Sequence, residues 1–206
     1  MTRRTQAPVA QRRAELLQAA LRVMRRDGAW ALTTRAVAAE ANLPHGLVHY
    51  AFSSKQALVQ AVIRLDTERA IALLDSAAAA GGTTEQVLGR AFSAYADAVR
   101  CDPETELAAQ ELTLMAVRDE SLRPLAQQWS QDYRTSAVHL LEHLAIRHHG
   151  TWDAAVEVIA DQTLALVLAL TTDWLVTRDD DRFETALADA ARMVAARLLP
   201  AGPAGI

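Results

Sequence analysis

The punctuation between Thr33 and Lys55 constrains this chain more than any other feature. The segment reads Thr33-Thr34, a run of small and apolar residues, Asn42, Leu43-Pro44, a second short run, then Phe52-Ser53-Ser54-Lys55. A hydroxyl at Thr33 or Thr34 can accept an orphan amide and start a helix reaching about Ala41. Val37, Ala38 and Ala41 give that helix a slim face against which a neighbouring helix can pack closely. Asn42 tolerates the left-handed conformation that a helix stop requires. Pro44 suits the first position of a second helix, where a missing N–H costs nothing. That helix runs from His45 to about Tyr50, with Val48 inward, and Phe52 closes the unit. Ser53 and Gln56 form a capping-box pair that opens a third helix. Two short helices around a tight turn are the pattern of a helix-turn-helix, which sets the start of its second helix against base edges in the DNA major groove.

On that reading His45, Gly46, Leu47, His49 and Tyr50, with Pro44 before them, lie on the recognition helix. Arg35 can meet a guanine edge in bidentate fashion. Thr33, Thr34 and Lys55 stand at helix N-termini, where hydroxyls, amides and a cation grip phosphate. The charge distribution agrees. The whole chain carries −4, which taken alone argues against nucleic acid. Residues 1–64, however, hold ten Arg and Lys against Glu15, Asp27 and Glu40, a net +7, and the remainder carries −11. A basic module on an acidic body is the electrostatic footprint of phosphate binding.

Beyond that segment the pattern is helical throughout: alanine is abundant, aromatics are few and no segment sustains strand alternation. A first helix spans about Pro8–Arg26, with Leu16, Ala20, Val23 and Met24 as its stripe and Asp27-Gly28 as its stop. The fourth runs from Ser54 to Gly81-Gly82, and a Thr83/Thr84 cap opens the fifth. Asp102-Pro103 opens the sixth, Ser121 to about His148 makes the seventh, and Thr151 or Asp153 caps an eighth reaching Thr177. Asp181 and Glu184 form a capping box for a ninth that ends near Leu199-Pro200, and residues 201–206 form a loose tail. The expectation is an all-α chain of about nine helices, with a three-helix DNA-binding domain over 8–54 and a second helical domain over 55–200.

Enzymatic chemistry finds no footing. Cys101 is the lone cysteine, so neither a disulfide within the chain nor a cysteine-based metal site can form. No Glu-x-x-His pair, phosphate loop, Gly-x-Ser-x-Gly elbow or His-Glu-x-x-His occurs. No catalytic residue, metal or cofactor is expected. Glu106 and Glu111 read as solvated faces. No apolar run is taken to reach membrane-spanning length and Arg3-Arg4 precede no signal-peptide core, so the expected compartment is the cytoplasm, with no membrane partner.

The residues singled out above resemble the TetR/AcrR family of one-component transcriptional regulators. The matching elements are Gly28, Thr33-Thr34 with Ala38, Gly46-Leu47-Val48-His49, and Phe52-Ser53-Ser54-Lys55 followed by Leu58. Two positions depart from the family pattern: His49 stands where a phosphate-contacting tyrosine is usual, and Leu43-Pro44 replaces a small hydroxyl residue in the turn. The resemblance implies a homodimer through helices eight and nine, a near-palindromic double-stranded operator, and release by an unidentified small-molecule effector. It also implies a pocket among helices five to eight, for which Phe92, Tyr95, Gln110, Leu114, Trp129, Tyr133, Leu166, Leu170 and Trp174 are the candidate lining.

Overall fold

Helix α1 (Val9–Asp27) shows how sequence becomes structure in a chain built from amphipathic helices. Leu16, Ala19, Ala20, Val23 and Met24 recur at helical spacing and are all buried. The helix stops where Gly28 takes a φ of +83° and returns its N–H to Met24. The computed structural model describes residues 9–200; the expected positions of Pro8, Arg3-Arg4 and the 201–206 tail lie outside them. A 3-10 turn at Ala29–Ala31 follows α1, then α2 (Thr34–Glu40), α3 (His45–Ala51), α4 (Lys55–Ala79), α5 (Thr84–Cys101) and α6 (Pro103–Arg118). The described chain continues through α7 (Arg123–Arg147), β1 (Gly150–Trp152), α8 (Val156–Thr177), α9 (Asp180–Ala195) and β2 (Leu198–Pro200). The nine expected α-helices are thus all present.

The chain forms two compact units. The first takes the residues up to Asp66 together with Pro103–Trp129; the second takes Thr67–Asp102 and the residues from Ser130. In the first unit α1 packs on α2 and α6, around Leu16, Leu32, Val37, Phe52, Leu58 and Leu112, each no more than 1% exposed. Each such side chain is worth about 1.5–3 kcal/mol of burial. In the second unit α5 lies along α9 and α8 packs on α9, over Leu88, Phe92, Trp174, Phe183, Leu187 and Val194.

Several local expectations shift. Ser54 rather than Ser53 caps α4, its hydroxyl accepting the Ala57 amide at 3.1 Å, and Gln56 donates to the Ser121 hydroxyl instead of closing a box. Asp179 rather than Asp181 caps α9, and no side chain caps α8. Pro44 sits one place ahead of α3 as its N-cap. The helical reading also missed a ladder: β1 and β2 pair antiparallel, Gly150 opposite Pro200 and Trp152 opposite Leu198.

One correction concerns α8. It is long and apolar enough to cross a membrane by length and composition, with a window of mean hydropathy 1.3, against the expectation that no segment would be. Its Ile159, Ala160, Thr171 and Trp174 are buried while Val158, Leu168 and Val176 are exposed. That is the pattern of a core helix with a second apolar face left open.

Candidate nucleic-acid interface

The short helices α2 and α3 are placed by their ends. Thr33 caps α2 by accepting the Ala36 amide at 3.0 Å. Asn42 takes the left-handed conformation, φ +52°, and Leu43 donates to Ala38 at 2.9 Å, which turns the chain towards α3. Within α3 only Val48 is fully buried. Gly46, His49 and Tyr50 are exposed, Tyr50 by 74%. His45 and Leu47 are half-buried, Pro44 is exposed, and Thr33, Arg35 and Lys55 all reach solvent.

Three of these residues meet. The Thr34 hydroxyl and His45 Nε2 are 3.0 Å apart, and the His45 and His49 rings stand edge to face with centroids 4.5 Å apart. The bond ties the first turn of α2 to the first turn of α3, leaving His49 and Tyr50 on the open side.

The electrostatics are sharper than the charge count. All three acids of the N-terminal segment are spoken for by neighbouring arginines. Glu15 pairs with Arg12 and Asp27 with Arg26, each at 2.8 Å, while Glu40 takes Arg22 at 2.7 Å and Arg26 at 2.8 Å. Hydrogen bonds from Arg22 and Arg26 hold the Glu40 carboxyl below the usual carboxylate range, and Arg26 does the same to Asp27. Among the described residues, Arg35 and Lys55 enter no ion pair within 4 Å, although the Lys55 charge is near enough to Asp119 to help hold that carboxyl below its usual range.

Two residues of this region were missed from sequence. Glu111, expected on a solvated face, sends its carboxylate to the Ala29 amide at 2.7 Å and caps the 3-10 turn. A Cβ on Gly28 would stand 2.8 Å from the same oxygen, so glycine there satisfies both the backbone angle and the close approach. Arg13 lies over the Phe52 ring at 4.6 Å and donates to the Ala51 carbonyl at 3.1 Å. Neither contact left a local signal, because each partner is distant in sequence.

The nine residues read as pocket lining divide between the units. Gln110, Leu114 and Trp129 belong to the first and the other six to the second. Leu114 is 61% exposed, which argues against an enclosed role in the protomer. Gln110 donates to Glu106 at 3.1 Å. Trp129 lines an apolar crevice of about 20 Å³, room for a single water. In the second unit Phe92 and Trp174 are core, and Trp174 donates to Asp180 at 2.8 Å while stacking on Phe183. Tyr95, Leu166 and Leu170 pack partly buried against that core, and Tyr133 is half-buried. This unit carries a groove of about 770 Å³ between α4 and α5, lined by small residues such as Ala77, Ala80, Gly89 and Ser93. None of the nine lines it. Arg90 closes its floor by donating to the Gly81 carbonyl at the end of α4.

Comparison with known proteins agrees with this geometry. Residues 16–62 match the model of the bacterial regulatory proteins of the tetR family, a span from α1 into α4 that contains the whole helix-turn-helix. The fold is similar to a transcriptional regulator of Pseudomonas aeruginosa PAO1, at 24% identity over 95% of each chain with a TM-score of 0.75. It is also similar to a TetR-family regulator from a Rhodococcus species, at 22% identity over 90% of this chain and 99% of that one, TM-score 0.79. The Bacillus subtilis regulator FadR, solved with stearoyl-CoA, shares the fold at 12% identity over 88% of this chain and 97% of that one, TM-score 0.74. No curated protein matches the chain by sequence.

Proposed function

We propose that the chain, whose residues 16–62 match the tetR family of bacterial regulatory proteins, is a DNA-binding transcriptional regulator and not an enzyme, and that it works as a ligand-released repressor. It acts in the cytoplasm as a dimer on a near-palindromic operator, with residues 8–54 reading DNA and 55–200 sensing and dimerising. The single observation that carries the DNA reading is Gly46. It lies inside α3 with ordinary helical backbone, and a Cβ built on it meets nothing within 4 Å. A helical glycine costs about 0.5–1 kcal/mol relative to alanine. Neither the protein's packing nor its backbone requires that cost, and on a face that also exposes His49 and Tyr50 the open space suits a partner that approaches the helix closely, although Gly89 of α5 is equally open. The exposed His49, Tyr50, Arg35 and Lys55, with the half-buried Leu47, support a polyanion with readable edges as that partner.

Gly46→Ala tests this directly, because its two effects have opposite signs. The protomer gains stability in urea, while affinity for an operator selected from random duplexes falls about tenfold or more, about 1.4 kcal/mol. Unchanged operator affinity would sink the reading.

Dimerisation is supported by the open face of α8, with Leu168 51% and Val176 80% exposed, and by Met193 of α9, also exposed. Apolar area of this kind calls for a covering surface, and a two-fold pair would set two recognition helices about one DNA turn, or a multiple of it, apart. For the effector, α4 is the natural lever because Asp66 and Thr67, adjacent within it, fall in different units. A ligand releases DNA only through its differential affinity for two states. Stearoyl-CoA, with which the Bacillus subtilis FadR was solved, is the first probe. Binding that leaves operator affinity unchanged would exclude it as an inducer.

A further inference from the structure

The recognition helix is held almost without a core of its own. Of its seven residues only Val48 is fully buried, so packing alone fixes neither its tilt nor its rotation well. A single knob leaves a short helix free to pivot. The remaining constraint comes from polar contacts at its two ends. At the N-terminal end Thr34 bonds His45. At the C-terminal end the Arg13 guanidinium donates to the carbonyl of Ala51, the last helical residue. The same guanidinium lies over the ring of Phe52, which is 1% exposed and therefore immobile.

Arg13 is well suited to this work. A helix C-terminus presents unpaired carbonyls and the negative end of the dipole, which a cation complements. A planar guanidinium can stack on an aromatic face while its edge donates hydrogen bonds, which an ammonium cannot do in one geometry. Its own backbone is rigidly placed, since Leu16 and Ala20 of α1 are both 0% exposed. The contact therefore ties α3 to α1, whose inner face is fully buried.

We propose that Arg13, outside the helix-turn-helix itself, is a positioning residue that sets the angle of α3 and so governs discrimination between operator and other DNA. It acts through the Ala51 carbonyl and the Phe52 ring, not as a phosphate contact. This rests on the DNA reading above.

The test uses full-length protein, a duplex enriched from a random library by the wild type, and a scrambled duplex of equal composition. Each affinity is measured across a salt series for the wild type, Arg13→Ala and Arg13→Lys. The expected result for Arg13→Ala is a fall of about tenfold or more on the enriched duplex, against less than about twofold on the scrambled one. The salt slope on either duplex stays that of the wild type, because no counterion-releasing contact is lost. Lysine keeps the charge without the stack and restores less than half of the lost discrimination. Equal weakening on both duplexes with a shallower slope, rescued by lysine, would make Arg13 a phosphate contact and overturn the proposal. Retained discrimination in Arg13→Ala would overturn it too. If Arg13→Ala fails to fold, the lysine variant decides the same question alone, since a phosphate contact predicts wild-type discrimination for it. If the wild type enriches no duplex, the DNA reading itself fails, and that outcome is distinct from all of these.

Discussion

Helices α3 and α8 each leave one face uncovered, and they do so in opposite ways. The seven-residue α3 buries one side chain and shows solvent a glycine, an imidazole and a phenol. The 22-residue α8 buries Ile159, Ala160, Thr163, Thr171 and Trp174 and shows solvent Val158, Leu168 and Val176. The first face offers apolar area mainly at the Tyr50 ring, set among polar groups, so a partner must be held largely by hydrogen bonds and charge. The second offers little else, so its partner must be apolar. The means of anchoring differ as well. Burial fixes α8, whereas α3 depends on contacts at its ends, so modest changes far from its exposed face should matter.

The largest effect expected from breaking this contrast is on α8. Leu168→Arg places a charge at the centre of the open apolar face, twice over in a two-fold contact. Burying an uncompensated charge costs about 3–5 kcal/mol, enough to leave a monomer at micromolar concentration by sedimentation, with the protomer still folded because the residue is exposed in it. A variant that remains dimeric would assign the interface to another face.

Next in size is the contrast within the DNA-facing residues. Arg35→Ala should lose about 1–3 kcal/mol against the preferred base at one position and leave other sequences less affected. Lys55→Ala should weaken all duplexes alike and lower the salt slope by about one contact. Equal losses on every sequence from both variants would mean that Arg35 touches phosphate alone.

What could be read from the sequence follows the range of the interaction responsible. Thr33, Asn42 and the Thr83 cap are local devices whose partners lie within a few residues, and the structure has them as expected, with Gln86 closing a capping box on Thr83 that the sequence reading did not name. Where two or three adjacent residues could serve equally, as with Ser53 and Ser54 or with Asp179, Asp180 and Asp181, the pattern is legible and its register is off by one or two places. Contacts that close long loops were invisible: the pairing of β1 with β2, Glu111 on the Ala29 amide 82 residues away, and Arg13 on the Ala51 carbonyl 38 residues away. The charge asymmetry could be counted, but the engagement of Glu15, Asp27 and Glu40 by neighbouring arginines could not. For the effector, an aromatic on an apolar stripe reads the same whether it lines a pocket or fills a core, and Trp174 and Phe92 fill the core.

A smaller effect separates backbone strain from contact at the start of the 3-10 turn. Gly28→Ala should cost about 1–2 kcal/mol in urea, because φ is +83° and the new methyl meets the Glu111 carboxylate. In a Glu111→Ala background the steric part disappears and only the backbone part remains, so the two changes should be non-additive. Strict additivity would mean that the carboxylate simply moves aside.

The smallest effect concerns Glu40, which joins the end of α2 to α1 through Arg22 and Arg26. Its carboxyl is held below the usual range by those two arginines, so it binds a proton less readily folded than unfolded. Such a group contributes stability that is fully present above the unfolded pKa, about 4.3 for glutamate, and that is lost as pH falls through the lower folded value. Glu40→Gln should therefore melt slightly below the wild type by a constant margin from pH 7 to about pH 5, and the margin should close in more acid solution. High salt should narrow it at neutral pH, because both arginines are more than half exposed. A margin that persists unchanged at pH 2 would mean that the amide disturbs the junction for a reason other than the lost charge, such as a hydrogen-bond geometry the two arginines cannot satisfy.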